Sequence, residues 1–183
     1  MLLNFDINKA IAATAYLIER KGGSDDMFCV IKKLYLADRT ALIRWGNSIT
    51  GDRLASMKQG PIVSGIYDLL KGKGKQDDQI LWNDVIVLKP PYTIMTRKAA
   101  NEGVLSVREK EVLDEAQQTI DSIRGSISKW LHKNCPEWTN PGKSSMTIDP
   151  SMILRHADKS EEDIRRIEEA NEELRLMNYL LSV

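Results

Sequence analysis

The chain is poor in the side chains that most enzyme chemistry needs. Its 183 residues include two cysteines, Cys29 and Cys135, and two histidines, His132 and His156. No CxxC or HxxxH spacing joins them. A nitrogen and sulfur metal site could start only from His132 and Cys135, which stand at a helix-compatible i, i+3 spacing. Free cysteines more often act as small buried hydrophobes, so no metal or cofactor is expected. A hydrolase needs a nucleophile, a base and an orienting group in one place. Ser64 in GPIVSGIYD lacks the G-x-S-x-G spacing and shows no strand signal before it, and the base is undetermined. The expectation is a protein that is not an enzyme, with a hydrolase using Cys135 and His132 as the alternative.

Charge of one sign is missing as well. Basic and acidic side chains number 26 each, giving a net charge of zero. Residues 1–100 carry 15 basic and 10 acidic groups and residues 101–183 carry 11 and 16, so the halves stand near +5 and −5. That gives no basic footprint for nucleic acid, and no direct DNA binding is expected. The tryptophans 45, 82, 130 and 138, which could stack on bases, are better read as anchors in a core or an interface. GKGK at 72–75 lacks the Walker spacing and is followed by Asp77 and Asp78, so a solvated loop is expected there. No apolar run reaches the roughly 18 residues of a membrane span, and MLLNFDINKA lacks the basic and long apolar regions of an export signal. These absences point to a cytoplasmic protein with reduced thiols and no membrane partner.

What remains is helical patterning. The composition, 42% hydrophobic and 28% charged, suits a single globular domain over 1–183. Residues 7–20 read as a helix capped by Asn4 or Asp6, and 24–46 as a second helix starting at Ser24 or Asp25, the two forming a hairpin. Residues 47–60 read as a loop with turns at Gly51 and Gly60. Pro61 fits the first turn of a short third helix. Residues 71–79 read as a polar connection, and 80–97 as a small antiparallel β segment of two or three strands with an Asn83-Asp84 turn, the one convincing β region. Ser106 and Glu109 form a capping box opening a long helix with Val107, Leu113, Ala116 and Ile120 inward. A short helix follows in SISKWLHKNCPEW, 126–138, broken by Pro136, and a further helical turn begins at Asp149-Pro150 and runs through SMILRHA to 157. A last helix carries a stripe of Ile164, Ile167, Ala170, Leu174, Met177 and Leu181, packing on the domain as a C-terminal extension over 141–183. The fold class expected is predominantly α, of α+β type.

Within the second helix, Phe28, Ile31, Tyr35, Leu42 and Trp45 mark an apolar stripe, and Asp38 falls in its middle. A lone buried carboxylate is costly, so Asp38 must find donors. The turn at 47–53 is the expected source, through its amides or through Arg53.

The ordered pieces KLYLADR, ITGDRLASMKQGPIVSGIYDLL, LSVREKEVLDEAQQTI and LHKNCPEW resemble the Panacea domain of SocA-like antitoxins, a family also met under phage-associated labels. The resemblance covers roughly residues 5–140. Its pattern falls on Lys33, Leu34, Tyr35, Ala37 and Asp38, then on Ile49, Thr50, Gly51, Asp52 and Arg53, then on Gly60, Pro61 and Tyr67, and last on His132, Glu137 and Trp138. Trp45-Gly46 departs from it, standing where many relatives have tyrosine-glycine. The resemblance implies an antitoxin whose partner is a cognate protein toxin, neutralised by direct binding. It also allows a proteolytic adaptor that delivers the toxin to a AAA+ protease. With no helix-turn-helix ahead of the domain, repression of an operon is not expected. A homo-oligomer paired through the last helix is a further expectation.

Overall fold

The computed structural model describes residue 1 and residues 3–181, with Glu102 and Leu181 by their backbone alone. The helices are α1 (Ile7–Arg20), α2 (Met27–Trp45), α3 (Ser64–Leu70), α4 (Gln76–Val85), α5 (Val107–Ser122), α6 (Ile127–Asn134), α7 (Pro150–His156) and α8 (Glu161–Leu181). The strands are β1 (Ser24–Asp26), β2 (Leu54–Met57), β3 (Gly60–Val63), β4 (Ile86–Lys89), β5 (Thr93–Thr96) and β6 (Met146–Thr147). Helix makes up 58% of the described residues, and the strands form two small antiparallel sheets, ordered β1-β5-β4 and β3-β2-β6. The fold is predominantly helical and of α+β type.

α2 lies at the centre, packed against α1, α5, α7, α3 and β3. Its residues Val30 to Asp38 are all buried, whichever way they point around the helix. A helix buried all round loses the clean polar face of a surface helix, which is why Asp38 interrupts an apolar stripe. Leu34, Tyr35 and Leu42 are fully enclosed, and burying an apolar side chain of this size contributes about 1.5–3 kcal/mol. Asp26 caps α2 by accepting from the Phe28 and Cys29 amides, and Gly46 ends it in the left-handed conformation at φ 77°. Asp6 caps α1, and Ser106 and Glu109 close a reciprocal capping box on α5.

Several expected elements differ. Ser24 and Asp25 belong to β1, paired with β5, so α2 starts only at Met27. Residues 54–57 form a strand rather than loop, and Pro61 sits in β3 instead of opening a helix. β3 is an edge strand, where the missing proline N–H costs no ladder bond. Residues 76–85 are helical, so Asn83-Asp84 is no turn and the β segment begins at Ile86. Only Trp82 and Val85 of α4 are buried, whereas Ile80 and Leu81 lie at the surface. Val107 is 75% exposed, because as the first residue after the Ser106 cap it faces solvent. Along α8, Ile164 is buried and Ile167 half-buried, but Ala170, Leu174 and Met177 are exposed. The side chain of Leu181 lies outside the described residues. Among the described residues, no helix is long and apolar enough to cross a membrane.

Candidate functional site

The motif residues gather around α2 in distinct clusters. In the first, Asp38 Oδ1 accepts from the amides of Ile49 and Thr50, both at 2.9 Å, and its other oxygen accepts from the Thr50 hydroxyl. Arg53 takes no part; its guanidinium faces Asp68 at 3.5 Å and is largely solvent-exposed. The same turn presents Asp52, which is also buried and accepts from the amides of Arg53 (2.6 Å), Gly65 (2.8 Å) and Ile66 (2.8 Å). Asp38 thus fixes the turn to α2, and Asp52 fixes it to the first turn of α3. Burial pushes Asp38 up to about 7 and Asp52 up to about 6, against the bonds that favour their charged forms.

Both glycines of this cluster are sterically required. Gly51 holds φ 67°, and a Cβ there would stand 1.7 Å from the Asn4 carbonyl oxygen. A Cβ on Gly65 would come within 2.5 Å of Asp52 Oδ1. An open cavity of about 440 Å³ borders this turn, lined in part by Asp52, Arg53, Asp68 and Lys73.

In the second cluster, Glu137 is fully buried and accepts from the Tyr35 hydroxyl and from Arg39 Nε at 2.7 Å. Burial, then the Glu137 charge, raises the Tyr35 hydroxyl well above its usual range. Next to it, the rings of His132 and Trp138 stack at 3.6 Å, and Trp138 Nε1 donates to the Met57 carbonyl at 2.9 Å. The EW motif therefore ties the end of α6 to both α2 and the β2–β3 hairpin. On another side of α2, the buried Lys33 ammonium pairs with Asp25 (2.7 Å) and Asp121 (3.0 Å). Burial disfavours the Asp121 charge, yet bonds from Lys21, Lys33 and Gln117 outweigh it and hold that carboxyl down at about 2.

The third cluster surrounds Gly60, Pro61 and Tyr67. The carbonyls of Gly60 and Pro61 accept from Lys32 Nζ at 2.9 and 2.8 Å. Tyr67 is half-buried and forms a wall of a groove of about 230 Å³, with Phe28, Met57 and Ile62. Lys32 was not among the residues singled out from the sequence, nor was Arg39. Neither carries a mark of its own in the sequence, because their surroundings show only once α2 is seen to be enclosed on all sides.

The groups that the sequence leaves as candidates for chemistry have other partners or surroundings. Burial pushes the Cys135 thiol up to about 12, where thiolate is scarce. A strand does precede Ser64, contrary to expectation, but the Ser64 hydroxyl donates to the Arg53 carbonyl at 3.0 Å. Ser128 Oγ lies 3.4 Å from His132 Nε2, beyond ordinary hydrogen-bond length for that pair. Among the described residues, no cluster of His, Cys, Asp and Glu is placed to hold a metal. The site's residues are instead suited to holding one backbone frame.

A model of the family described as "Antitoxin SocA-like, Panacea domain" matches residues 30–139, which is more than half of the chain and includes Asp38, Asp52, Tyr67 and Glu137. No curated protein and no solved structure matches the chain.

Proposed function

The chain belongs to the SocA-like antitoxin family of the Panacea domain, and from that membership we propose that it neutralises a cognate protein toxin in the cytoplasm by direct, stoichiometric binding. The observation that carries the reading is the match over the region that contains Asp38, Asp52, Tyr67 and Glu137. It is supported by the way these side chains are used: Asp38, Asp52 and Glu137 spend their oxygens on internal donors, so the motif builds a scaffold and leaves recognition to the surface around it. Binding energy in such interfaces is concentrated in a few aromatic, arginine and apolar anchors. Co-expression with the product of the adjacent gene tests the proposal. Growth arrest by that product alone, relieved by this protein in a complex of fixed stoichiometry, is the expected result. A product that is harmless alone, or lethal in both cases, ends the reading.

A second reading, the proteolytic adaptor, is favoured by the end of α8. Leu174, Leu176, Met177, Tyr179 and Leu180 are 47–72% exposed there, following Glu168, Glu169, Glu172 and Glu173. An exposed apolar stretch of this kind marks an interaction site, here for a AAA+ protease. Toxin half-life separates the two: a half-life unchanged during full neutralisation leaves direct inhibition, and one shortened only while α8 is intact favours delivery.

A further inference from the structure

Tyr67, Gly60 and Pro61 belong to the motif, and Tyr67 packs against the core without committing its hydroxyl to the frame. Its ring lines the groove between the first turns of α2, the β2–β3 hairpin and α3, and among the described residues its hydroxyl makes no hydrogen bond. The other walls are apolar, with Phe28, Ile31, Met57 and Ile62. The volume, about 230 Å³, is below the roughly 300–1,000 Å³ of small-molecule sites and fits one or two side chains.

The charges at this groove are of one sign. Those that line it belong to Lys32 and Lys58, and Lys71 stands over the outer side of the Tyr67 ring, 4.1 Å from its centroid. Lys32 is 94% buried by its 6% exposure and, among the described residues, is held by two carbonyl oxygens and no carboxylate. An ammonium has three donors, so one remains for an incoming acceptor. Burial without a counter-charge lowers Lys32 to about 7. Every other charged side chain that α2 buries has an opposite charge or a set of donors from another segment, as Lys33 and Asp38 do. The groove thus combines apolar walls with ammonium groups that no carboxylate among the described residues neutralises.

We infer that this groove seats an acidic, apolar segment of the cognate toxin, with an apolar side chain between Met57 and Tyr67 and a carboxylate set toward Lys32, Lys58 and Lys71. The inference rests on the antitoxin reading and names the surface that reading leaves open. Exposed rim lysines act through complementary charge, and reversing Lys58 and Lys71 costs the fold no more than the exposed contact of Lys71 with the Tyr67 ring. Tyr67 acts as the aromatic anchor.

The test uses the full-length protein and the toxin encoded by the adjacent gene, with affinity measured by calorimetry and folding by thermal melting. The double variant Lys58→Glu/Lys71→Glu and the single variant Tyr67→Ala are expected to weaken binding tenfold or more. The double variant should melt close to the wild type, and Arg165→Glu, on α8 where that helix packs at the opposite end of α2, should bind as the wild type does. Both groove variants binding within twofold of the wild type, while the wild type neutralises, overturns the groove and leaves the antitoxin reading standing. A wild type that neither binds nor neutralises overturns both. The end of α8 is the segment of this chain that shares the required chemistry, so light scattering is run in parallel. A drop in mass in the groove variants with toxin affinity unchanged would assign the groove to a second copy and refute the inference.

Discussion

Replacing Asp38 by alanine and by asparagine separates two opposed roles of the same carboxylate. As an acceptor, Asp38 satisfies the Ile49 and Thr50 amides and the Thr50 hydroxyl, all buried. Alanine strands the two amides, and each unsatisfied buried donor costs about 1–3 kcal/mol. Asp38→Ala is therefore expected to lose about 2–6 kcal/mol of stability. As a charge, Asp38 works the other way. Its pKa rises from 3.8 to about 7 in the fold, so the folded protein binds the proton more tightly than the unfolded chain. Its contribution is fully present below pH 3.8 and is lost as pH rises through 7. Between pH 5 and pH 8 the loss amounts to about 2–3 kcal/mol by linkage. Asparagine keeps an oxygen for the two amides and cannot ionise, and the Thr50 hydroxyl can turn to accept from it. Urea unfolding at pH 5 and pH 8 reads all three proteins. Asp38→Asn should show a clearly smaller fall in stability with pH than the wild type, the slope that remains coming in part from Asp52, raised to about 6. An equal slope in wild type and Asp38→Asn, or an alanine variant within a few tenths of a kcal/mol of wild type, refutes the account.

Other outcomes follow from the same frame. Glu137→Ala removes the acceptor of Tyr35 and the counter-charge of Arg39, and breaking a buried pair in this way should cost about 3–5 kcal/mol in denaturant melts. Gly51→Ala meets both a left-handed backbone and the Asn4 carbonyl, so a loss of at least about 2 kcal/mol, or failure to give soluble protein, is expected on expression and circular dichroism. Truncation after Glu173 removes apolar side chains that are about half or more exposed, and it should shift stability by less than about 0.5 kcal/mol in the same melts.

The sequence shows most clearly those elements whose signals are local. Asp6, Ser106 with Glu109, and the stripe of Leu113, Ala116 and Ile120 each carry their own cap or period, and these helices lie where they were expected. Elements made by distant partners leave no such mark. β1 is three residues long and exists because β5 pairs with it, and β6 is two residues held by β2. Pro61 was ambiguous because proline suits both a helix start and an edge strand, and only the hairpin pairing of Ser56 with Pro61 decides. The run ILWNDVIV misleads for a different reason: Ile80 and Leu81 are exposed apolar residues, so the buried positions Trp82 and Val85, three apart, are hidden among them. Asp38 could be flagged from its pattern alone, whereas Lys32 could not be told from Lys33 until α2 proved to be buried on all sides.

That all-round burial explains how one helix organises the whole motif. Successive residues on a helix point about 100° apart, so Lys32 and Lys33 leave α2 in different directions, one to the β3 carbonyls and the other to Asp25 and Asp121. Asp38 reaches the turn before β2, and Tyr35 and Arg39 reach Glu137 beyond α6. Each contact joins α2 to a different segment, and each is costly to leave half-made because its groups are out of water. The segments are therefore fixed to α2 rather than merely to their sequence neighbours. A frame held in this way frees its outward positions from structural duty. On the proposed antitoxin reading, a change of partner then calls for changes at rim positions such as Lys58 and Lys71 and leaves the frame held by Asp38, Asp52 and Glu137 intact.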